Sequence, residues 1–584
     1  MVDLRLEYPR PQLVRKDWLC LNGEWEFEID NALVGEAKKY WNRPSLDGKI
    51  TVPYCPESVL SGVGNTDFMN CVWYRKTVTL PAEFAGKRTV IHFGAVDYLA
   101  TLYVNGKKIG THQGGYTPFS FDITDALTEG ENVIVLSAFD DVRSCKQPGG
   151  KQSLEFGSHG CFYTRTTGIW QSVWLEPVDA ARVVTYRVYP DVANGAVTIQ
   201  FQTTSAAMGT QLTLSASYEG VHMGYVTATV NGCATTVTLP LKETHLWEIG
   251  QGRLYDLSVI LRKNGAIVDA FDGYFGLREV GLTDKGMTLN GKLFFGRYIL
   301  DQGFFPDGIY TAPSDEALKK DIEYSLQLGF TGARMHQKVF DPRYLYWADR
   351  LGYLLWGEYP SWGIDISNAS CVKNYLREWL EAVERDFSHP SVIGWCPFNE
   401  TWNLFNEGNA NQCDDVVDMI YRATKYTDPT RPCIDTSGNY HVVHCGLWDV
   451  HDYEQNPEKF AANYAKIDEG LVVDQVYRKE PKRQVYDGTP VFVSEYGGIG
   501  WDTDSPTDSW GYGVSVKSEE EFIARYKGLT DALLDNEHIM GLCYTQLTDV
   551  EQECNGLLTY NRRFKFDPAI FHEINTRKAK IEEE

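Results

Sequence analysis

After Val280 the hydrophobic rhythm of the chain changes, and no other feature of the sequence constrains the fold as tightly. From that point, apolar runs of strand length alternate with stretches whose apolar residues recur at helical spacing. Leu293-Phe294-Phe295 is followed by a predicted helix from Ser314 to Leu328 and then by Gly332-Ala333-Arg334. Pro313 precedes that helix, Ser314 is its expected N-cap, acids occupy its first turn and Gly329 follows its end. Leu376, Trp379, Leu380, Val383 and Phe387 mark a second helical face, and Val416, Met419, Ile420 and Ala423 a third. The apolar runs fall near Phe295, Ala333, Leu355, Trp395, Ile434, Val450, Val493 and Leu542. Eight β/α units over about 290 residues predict a single TIM (β/α)8 barrel. An open doubly wound sheet shares the pattern but rarely needs eight parallel strands, and no glycine-rich phosphate loop follows any run.

The preceding half of the chain reads at period two. Gly23-Glu24-Trp25-Glu26-Phe27, Arg88-Thr89-Val90-Ile91-His92-Phe93 and Ala100-Thr101-Leu102-Tyr103-Val104 are strand patterns, and Asn105-Gly106 after the last is a strong hairpin signal. This stretch is expected to be a β-sandwich. A second strand-rich stretch, with Ala196–Phe201, Gln211–Ser215 and Leu254–Val259, predicts some seven strands in about 100 residues, the size of an immunoglobulin-like sandwich. The expected domains are therefore 1–178, 179–280 and 281–584, within the three to five that 584 residues suggest.

Composition narrows the class of partner. With 55 basic and 79 acidic residues the net charge is −24, which repels polyanions, so nucleic acid is not an expected partner. Aromatic residues form 13% of the chain, an excess of flat side chains suited to stacking on sugars, nucleobases or proline, or to filling cores. The 13 cysteines are odd in number, contain no Cys-x-x-Cys pair and lie in apolar runs such as those around Cys20, Cys55, Cys396 and Cys543. They are read as reduced thiols. No stretch approaches 18 uninterrupted apolar residues and the start lacks a signal pattern, so a cytoplasmic protein with no membrane partner is expected.

In a TIM barrel the active site lies where the strands end, so the polar residue closing each run is the one to weigh. Val392-Ile393-Gly394-Trp395-Cys396-Pro397-Phe398 closes in Asn399-Glu400, and Pro490-Val491-Phe492-Val493-Ser494 closes in Glu495-Tyr496-Gly497-Gly498. By position these end strands 4 and 7. A lone glutamate at a strand end is usually a solvated loop residue or an ion-pair partner. Two across one barrel mouth can approach the separation of about 5 to 5.5 Å at which one carboxylate attacks an anomeric carbon and the other protonates the leaving oxygen. The acid needs a carboxyl group held protonated near neutral pH, which a neighbouring negative charge and an apolar wall can supply.

At these residues the chain resembles glycoside hydrolase family 2, the β-galactosidase, β-glucuronidase and β-mannosidase family of retaining enzymes, over nearly its whole length. Gly94-Ala95-Val96-Asp97-Tyr98, Val104-Asn105-Gly106 and Gly114-Gly115-Tyr116-Thr117-Pro118-Phe119 resemble the family's N-terminal jelly-roll, sugar-binding-type sandwich. Thr167–Leu175 resembles its closing segment, and Phe275-Gly276-Leu277-Arg278 the junction into the barrel. The resemblance implies Glu400 as acid/base, Glu495 as nucleophile, Asn399 as the ligand of the sugar 2-hydroxyl and Arg334 as the residue that orients the nucleophile. Tyr453 is expected to hydrogen-bond Glu495; Trp356, Trp362 and Trp501 are candidates for stacking on sugar or aglycone, and Asp301 for binding a hydroxyl.

The chain also departs from the family pattern. Arg334 is followed by Met335-His336-Gln337-Lys338 where many members have Arg-x-Ser-His or Arg-x-Ala-His, and Glu358-Tyr359-Pro360 stands where the large galactosidases place metal ligands. No metal and no cofactor are therefore expected, and His336 and Glu358 join the substrate-binding candidates. Asn561-Arg562-Arg563 replaces the Asn-x-Lys by which glucuronidases hold a uronate; Arg563 can pair with a carboxylate, although a solvated basic loop is the stronger reading. The chain stops soon after the last barrel helix, as in the three-domain glucuronidase layout. The resemblance allows a homo-oligomer, but no segment marks an interface.

The expected function is exo-acting, retaining hydrolysis of a glycoside, with a galactoside-like glycone first because the uronate motif is imperfect. Glucuronides, arabinosides and other furanosides stay open, as does transfer to a sugar acceptor instead of water. A non-enzymatic carbohydrate-binding protein would be marked by loss of either glutamate, and both are present.

Overall fold

The computed structural model describes residues 2–401, 413–438, 441–470, 472, 484–502 and 509–583. In the N-terminal sandwich a four-stranded sheet (Leu19–Cys20, Val173–Val178, Arg88–Phe93, Phe119–Asp122) packs on a six-stranded sheet whose inner strands are Gly23–Ile29, Cys71–Thr79, Glu131–Phe139 and Leu99–Val104. Their inward residues, among them Trp25, Ile91, Leu102 and Leu136, form one core. Asn105 and Gly106 both adopt positive φ, 50° and 76°, and join Leu99–Val104 to Lys107–Gln113 as the sequence predicts. The second sandwich has seven strands between Val183 and Phe275, three in one sheet and four in the other.

Seven parallel strands of the C-terminal domain form one curled sheet, in the spatial order Val392–Cys396, Leu354–Glu358, Gly332–Met335, Gly296–Asp301, Ile539–Thr545, Val491–Gly497, Trp448–Asp452. The fifth of the eight expected strands, near Ile434, is irregular. It bridges the fourth strand at Trp395–Cys433 and Asn399–Ser437, but it meets the sixth through a side chain, Asp449, whose Oδ1 accepts the Gly438 N–H. Pro432 has no N–H to give to a ladder there, and the Asp449 carboxylate takes the place of a ladder carbonyl. The helices Asp315–Gln327, Ala369–Asp386 and Asp414–Thr427 lie where the apolar spacing places them, and the Ser314 side chain accepts from Ala317 N.

The family-like motifs of the first half turn out to be docking points. Arg278 donates to the carbonyls of Pro390 and Val392 at 2.9 and 2.8 Å, which fixes the second sandwich to the start of the fourth barrel strand. Tyr116 N–H donates to Glu378 of the helix Ala369–Asp386 at 2.7 Å, which fixes the first sandwich to the barrel wall. The two sandwiches share Arg15, which pairs with Glu176 of the first at 2.9 Å and Asp269 of the second at 2.9 Å. All 13 cysteines are free thiols. Among the described residues no helix is long and apolar enough to cross a membrane.

Burial would raise the Glu176 carboxyl, but Arg10, His92 and Arg15 outweigh it and hold its pKa well below the usual range. With that sign, its contribution to stability is full above the ordinary carboxylate pKa and is lost only as pH falls far into the acid range. Glu176→Leu leaves buried guanidinium charge uncompensated and is expected to cost about 3–5 kcal/mol. The check is the urea midpoint of the first unfolding transition, which should fall at pH 7 in the variant.

Candidate active site

Both strand-end glutamates arrive at the barrel mouth through local irregularities. Between the sixth and seventh strands the register runs Val450–Val493 and then His451–Glu495, so Ser494 is an extra residue, a bulge of the kind that re-aims the side chain beside it. Glu400 follows the fourth strand, with its N–H donating to Ser437 O at 2.9 Å and its backbone at φ 39°. That left-handed conformation disfavours a side chain by roughly 1–2 kcal/mol, so the surroundings must hold it. Carboxylate oxygens of Glu400 and Glu495 and a ring nitrogen of His451 all lie within 4.8 Å of one another.

Arg334 organises the floor of this cluster. Its guanidinium is wholly buried; Nε and Nη2 donate to Glu358 Oε2 at 3.2 and 2.7 Å, Nη2 to Asn399 Oδ1 at 3.0 Å, and Nη1 to Glu495 Oε1 at 3.1 Å and Ser494 O at 2.9 Å. One planar fork thereby orients groups from the third, fourth and seventh strands. His336 Nδ1 lies 3.0 Å from Glu358 and 4.0 Å from Glu495, and burial lowers its pKa despite the Glu358 charge. Burial alone would raise Glu358, but Arg334 and His336 hold it at about 2.

The two catalytic candidates are dressed differently. Burial pushes the Glu495 carboxyl up, yet His451, Arg334, His336 and the hydrogen bond from Tyr453 outweigh it and bring it down to about 2. Tyr453 Oη donates to Glu495 Oε2 at 2.5 Å and lies 3.0 Å from Thr545 Oγ1, and burial raises its own pKa so that it stays a donor. Glu400 has no such cradle. Its Oε1 meets His451 Nδ1 at 2.7 Å, while His451 Nε2 lies 2.9 Å from Ser437 Oγ and 3.4 Å from Glu495 Oε1. Burial would lower the His451 pKa, but Glu495 and Glu400 raise it above the ordinary imidazole value. Glu400, His451 and Glu495 have spacing that a metal ion could use, but the Arg334 guanidinium already binds Glu495 and would repel one.

The structure thus gathers Glu400, Glu495, Asn399, Arg334, Tyr453, Glu358 and His336. Trp362 joins them from below, its Nε1 donating to Asn399 O at 2.8 Å. Trp501 is half-buried, with an indole N–H that has no acceptor among the described residues. Three candidates fall elsewhere. Asp301 accepts from Gly303 N at 2.8 Å and Tyr344 Oη at 3.0 Å, so it braces the barrel rather than facing a ligand. Trp356 is fully buried and stacks on Phe492 at 5.5 Å, inside the barrel instead of over its mouth. Arg563 is exposed, and its backbone N–H donates to Thr559 Oγ1 at 3.2 Å.

The sequence reading passed over His451, although the strand-end rule that selected Glu495 applies to His451-Asp452-Tyr453 as well. It had no signal for the wall of the pocket, which comes from the first sandwich. Gly149 and Gly150 N–H donate to Trp362 O at 2.8 and 3.1 Å, Tyr163 Oη to Glu553 Oε2 at 2.5 Å, Thr164 N–H to Glu551 Oε1 at 3.1 Å, and Gln552 Nε2 and Trp510 Nε1 to Gly160 O at 2.7 and 2.6 Å. Gly150, at φ 56°, approaches so closely that a Cβ would lie 2.4 Å from Gln337 O. The segment 149–164 is thereby clamped across the barrel mouth between the third and eighth strand ends.

Family models match in the same order as these domains: "Glycosyl hydrolases family 2, sugar binding domain" over residues 60–174, "Glycosyl hydrolases family 2" over 181–278, and "Glycosyl hydrolases family 2, TIM barrel domain" over 313–499. A β-galactosidase of Thermoanaerobacter pseudethanolicus is 29% identical over 56% of this chain and 44% of its own length. A β-glucuronidase of Paenibacillus borealis is 24% identical over 91% of both chains. The chain spans about half the length of the first curated relatives it matches. The crystal structure of Ruminococcus gnavus β-glucuronidase superposes with a TM-score of 0.79 over 98% of this chain and 100% of that one, at 18% identity, a likeness of fold.

A shared charge between His451 and the two carboxylates has a direct readout. Because Glu495 helps raise the His451 pKa, that imidazole is expected to stay protonated past pH 6.5 and to lose its proton as pH rises further. Removing the carboxylate charge with Glu495→Gln should lower the His451 midpoint followed by ring-proton NMR. An unchanged midpoint would show that the two groups do not interact.

Proposed function

Because the chain belongs to glycoside hydrolase family 2, in its three-domain form, we propose that it is an exo-acting retaining β-glycosidase whose glycone is a uronic acid. The observation that carries the reaction is the pair of unlike carboxylates within 4.8 Å, since that spacing leaves room for one glycosidic carbon and no intervening water. Glu495, ionised throughout the ordinary pH range, attacks the anomeric carbon and forms a covalent glycosyl-enzyme. Arg334 and Tyr453 fix its two oxygens, so the one turned to the sugar keeps a defined direction. Glu400 gives its proton to the departing glycosidic oxygen, then takes one from the water that hydrolyses the intermediate. Asn399, its Oδ1 held by Arg334 at 3.0 Å, keeps its amide N–H groups for the sugar 2-hydroxyl, where positive charge develops next door.

Support for a uronide over the galactoside-like glycone first expected comes from the Paenibacillus borealis β-glucuronidase, matched over 91% of both chains. The altered Asn561-Arg562-Arg563 motif favours a neutral glycone, and a panel of nitrophenyl β-glucuronide, β-galacturonide, β-galactoside and furanoside substrates decides between them. Hydrolysis of the uronides is the expected result. Glu495→Gln should lower turnover of an activated aryl glycoside by at least about 10⁴-fold; wild-type rates in that variant would remove Glu495 from the nucleophile's role. Glu400→Ala should slow poor leaving groups by about 10²–10⁴-fold and activated ones far less, because a good leaving group departs without a proton. Equal losses on both would count against the acid/base assignment.

A further inference from the structure

The cations that the barrel contributes around the pocket are already engaged. Arg334 bonds Glu358, Glu495 and Asn399. Lys565 Nζ is 2.7 Å from Asp549 and donates to Trp501 O at 2.6 Å. Arg562, the middle residue of the altered uronate motif, lies 3.1 Å from Asp321 and donates to Phe304 O at 2.6 Å. Lys338 donates to the carbonyls of Gly303 and Tyr310.

Lys151 is the exception, and it belongs to the clamped segment of the first sandwich. It is 6% exposed, and its Nζ stands 4.4 Å from the ring centroid of Trp362, the indole that bonds the backbone carbonyl of Asn399 beside Glu400. No carboxylate among the described residues lies within ion-pair distance of it. The ionisable groups that act on it most strongly are Cys161, Glu553, Glu495 and Glu400. The Cys161 thiol, its pKa raised by burial, hydrogen-bonds Lys151, and Glu553 is already held by Tyr163 Oη and Asn555 Nδ2. Burial works against the ammonium, but these neighbours raise its pKa, so it stays charged. A buried ammonium that meets the Cys161 thiol and the face of the Trp362 ring, with no carboxylate at ion-pair distance among the described residues, is positioned for an anion that the protein does not supply.

We propose that Lys151 is the specificity residue that binds the carboxylate of the glycone, so that an acidic sugar is selected by the N-terminal sandwich rather than by the barrel; this rests on the uronide reading above. A uronate brings a formal negative charge to a barrel mouth that already holds Glu400 and Glu495, and Lys151 offsets that repulsion with its ammonium placed over the Trp362 ring. A neutral hydroxymethyl group can take a hydrogen bond from the ammonium but cannot neutralise it. The discrimination is therefore between charged and uncharged glycones, and little between epimers.

The test compares Lys151→Met, which keeps an apolar stem over the indole, and Lys151→Arg, which keeps the charge, with the wild-type full chain. The substrates are nitrophenyl β-D-glucuronide, β-D-galacturonide and β-D-galactoside. Lys151→Met should lose about 100-fold or more in kcat/KM on the uronides, mostly through KM, and less than about 3-fold on the galactoside, with partial recovery in Lys151→Arg. If Lys151→Met loses equally on charged and neutral substrates, Lys151 only positions Trp362 and Asn399 and the proposal is overturned. Uronide cleavage by the wild type that survives unchanged in Lys151→Met overturns the Lys151 assignment and leaves the proposed function standing. A wild type that cleaves only neutral glycosides removes the uronide reading and this inference together. Thermal midpoints of both variants within the range of the wild type separate loss of recognition from loss of fold, and Lys151→Arg supplies the comparison if Lys151→Met does not fold.

Discussion

A single guanidinium with no exposure to solvent holds the barrel mouth together. Arg334 lies in the short strand Gly332–Met335, and its N–H groups reach a carboxylate on each of two other strands, an amide just past the end of a third and a backbone carbonyl. Burying that charge is tolerable only because Glu358 and Glu495 are both ionised beside it, and both carboxylates are ionised because the guanidinium is there. The arrangement is mutually dependent, and it leaves Glu400 outside. The asymmetry between the two candidate catalytic carboxylates therefore begins on a strand that carries neither of them.

Around that floor the site is assembled from parts far apart in the chain. Bulged backbone at Ser494 and left-handed backbone at Glu400 turn the two glutamates towards each other, and His451 lies between them. The irregular fifth strand belongs to the same design, since Ser437 both accepts the Glu400 N–H and lies beside His451 Nε2.

How much of this was legible in the sequence follows from the range of the interactions. The alternation of strand and helix, the N-cap at Ser314 and the Asn105-Gly106 turn are local, so period and turn chemistry reveal them. Glu400 and Glu495 could be read because a barrel converts eightfold periodicity into a ring of strand ends. Asp301 ends a strand too, but its oxygens are taken by Gly303 and Tyr344, and nothing in its own stretch of sequence distinguishes that from a ligand-facing acid. Trp356 fails for a related reason: alternation along a strand does not say which face looks into a barrel's packed interior. The clamp of residues 149–164 was illegible, because Tyr163 and Glu553 are 390 positions apart and each stretch reads as an ordinary loop.

That clamp ties the maturation of the pocket to the order of synthesis. The sandwich that supplies one wall leaves the ribosome before the barrel that supplies the rest, and domains made first generally fold first. The wall is thus ready and waiting while the barrel closes, and the cavity exists only once the last strand and the loop bearing Glu551, Gln552 and Glu553 have come to rest against it. A polypeptide still being made therefore has one wall of the barrel mouth in place before the residues that close the other side exist.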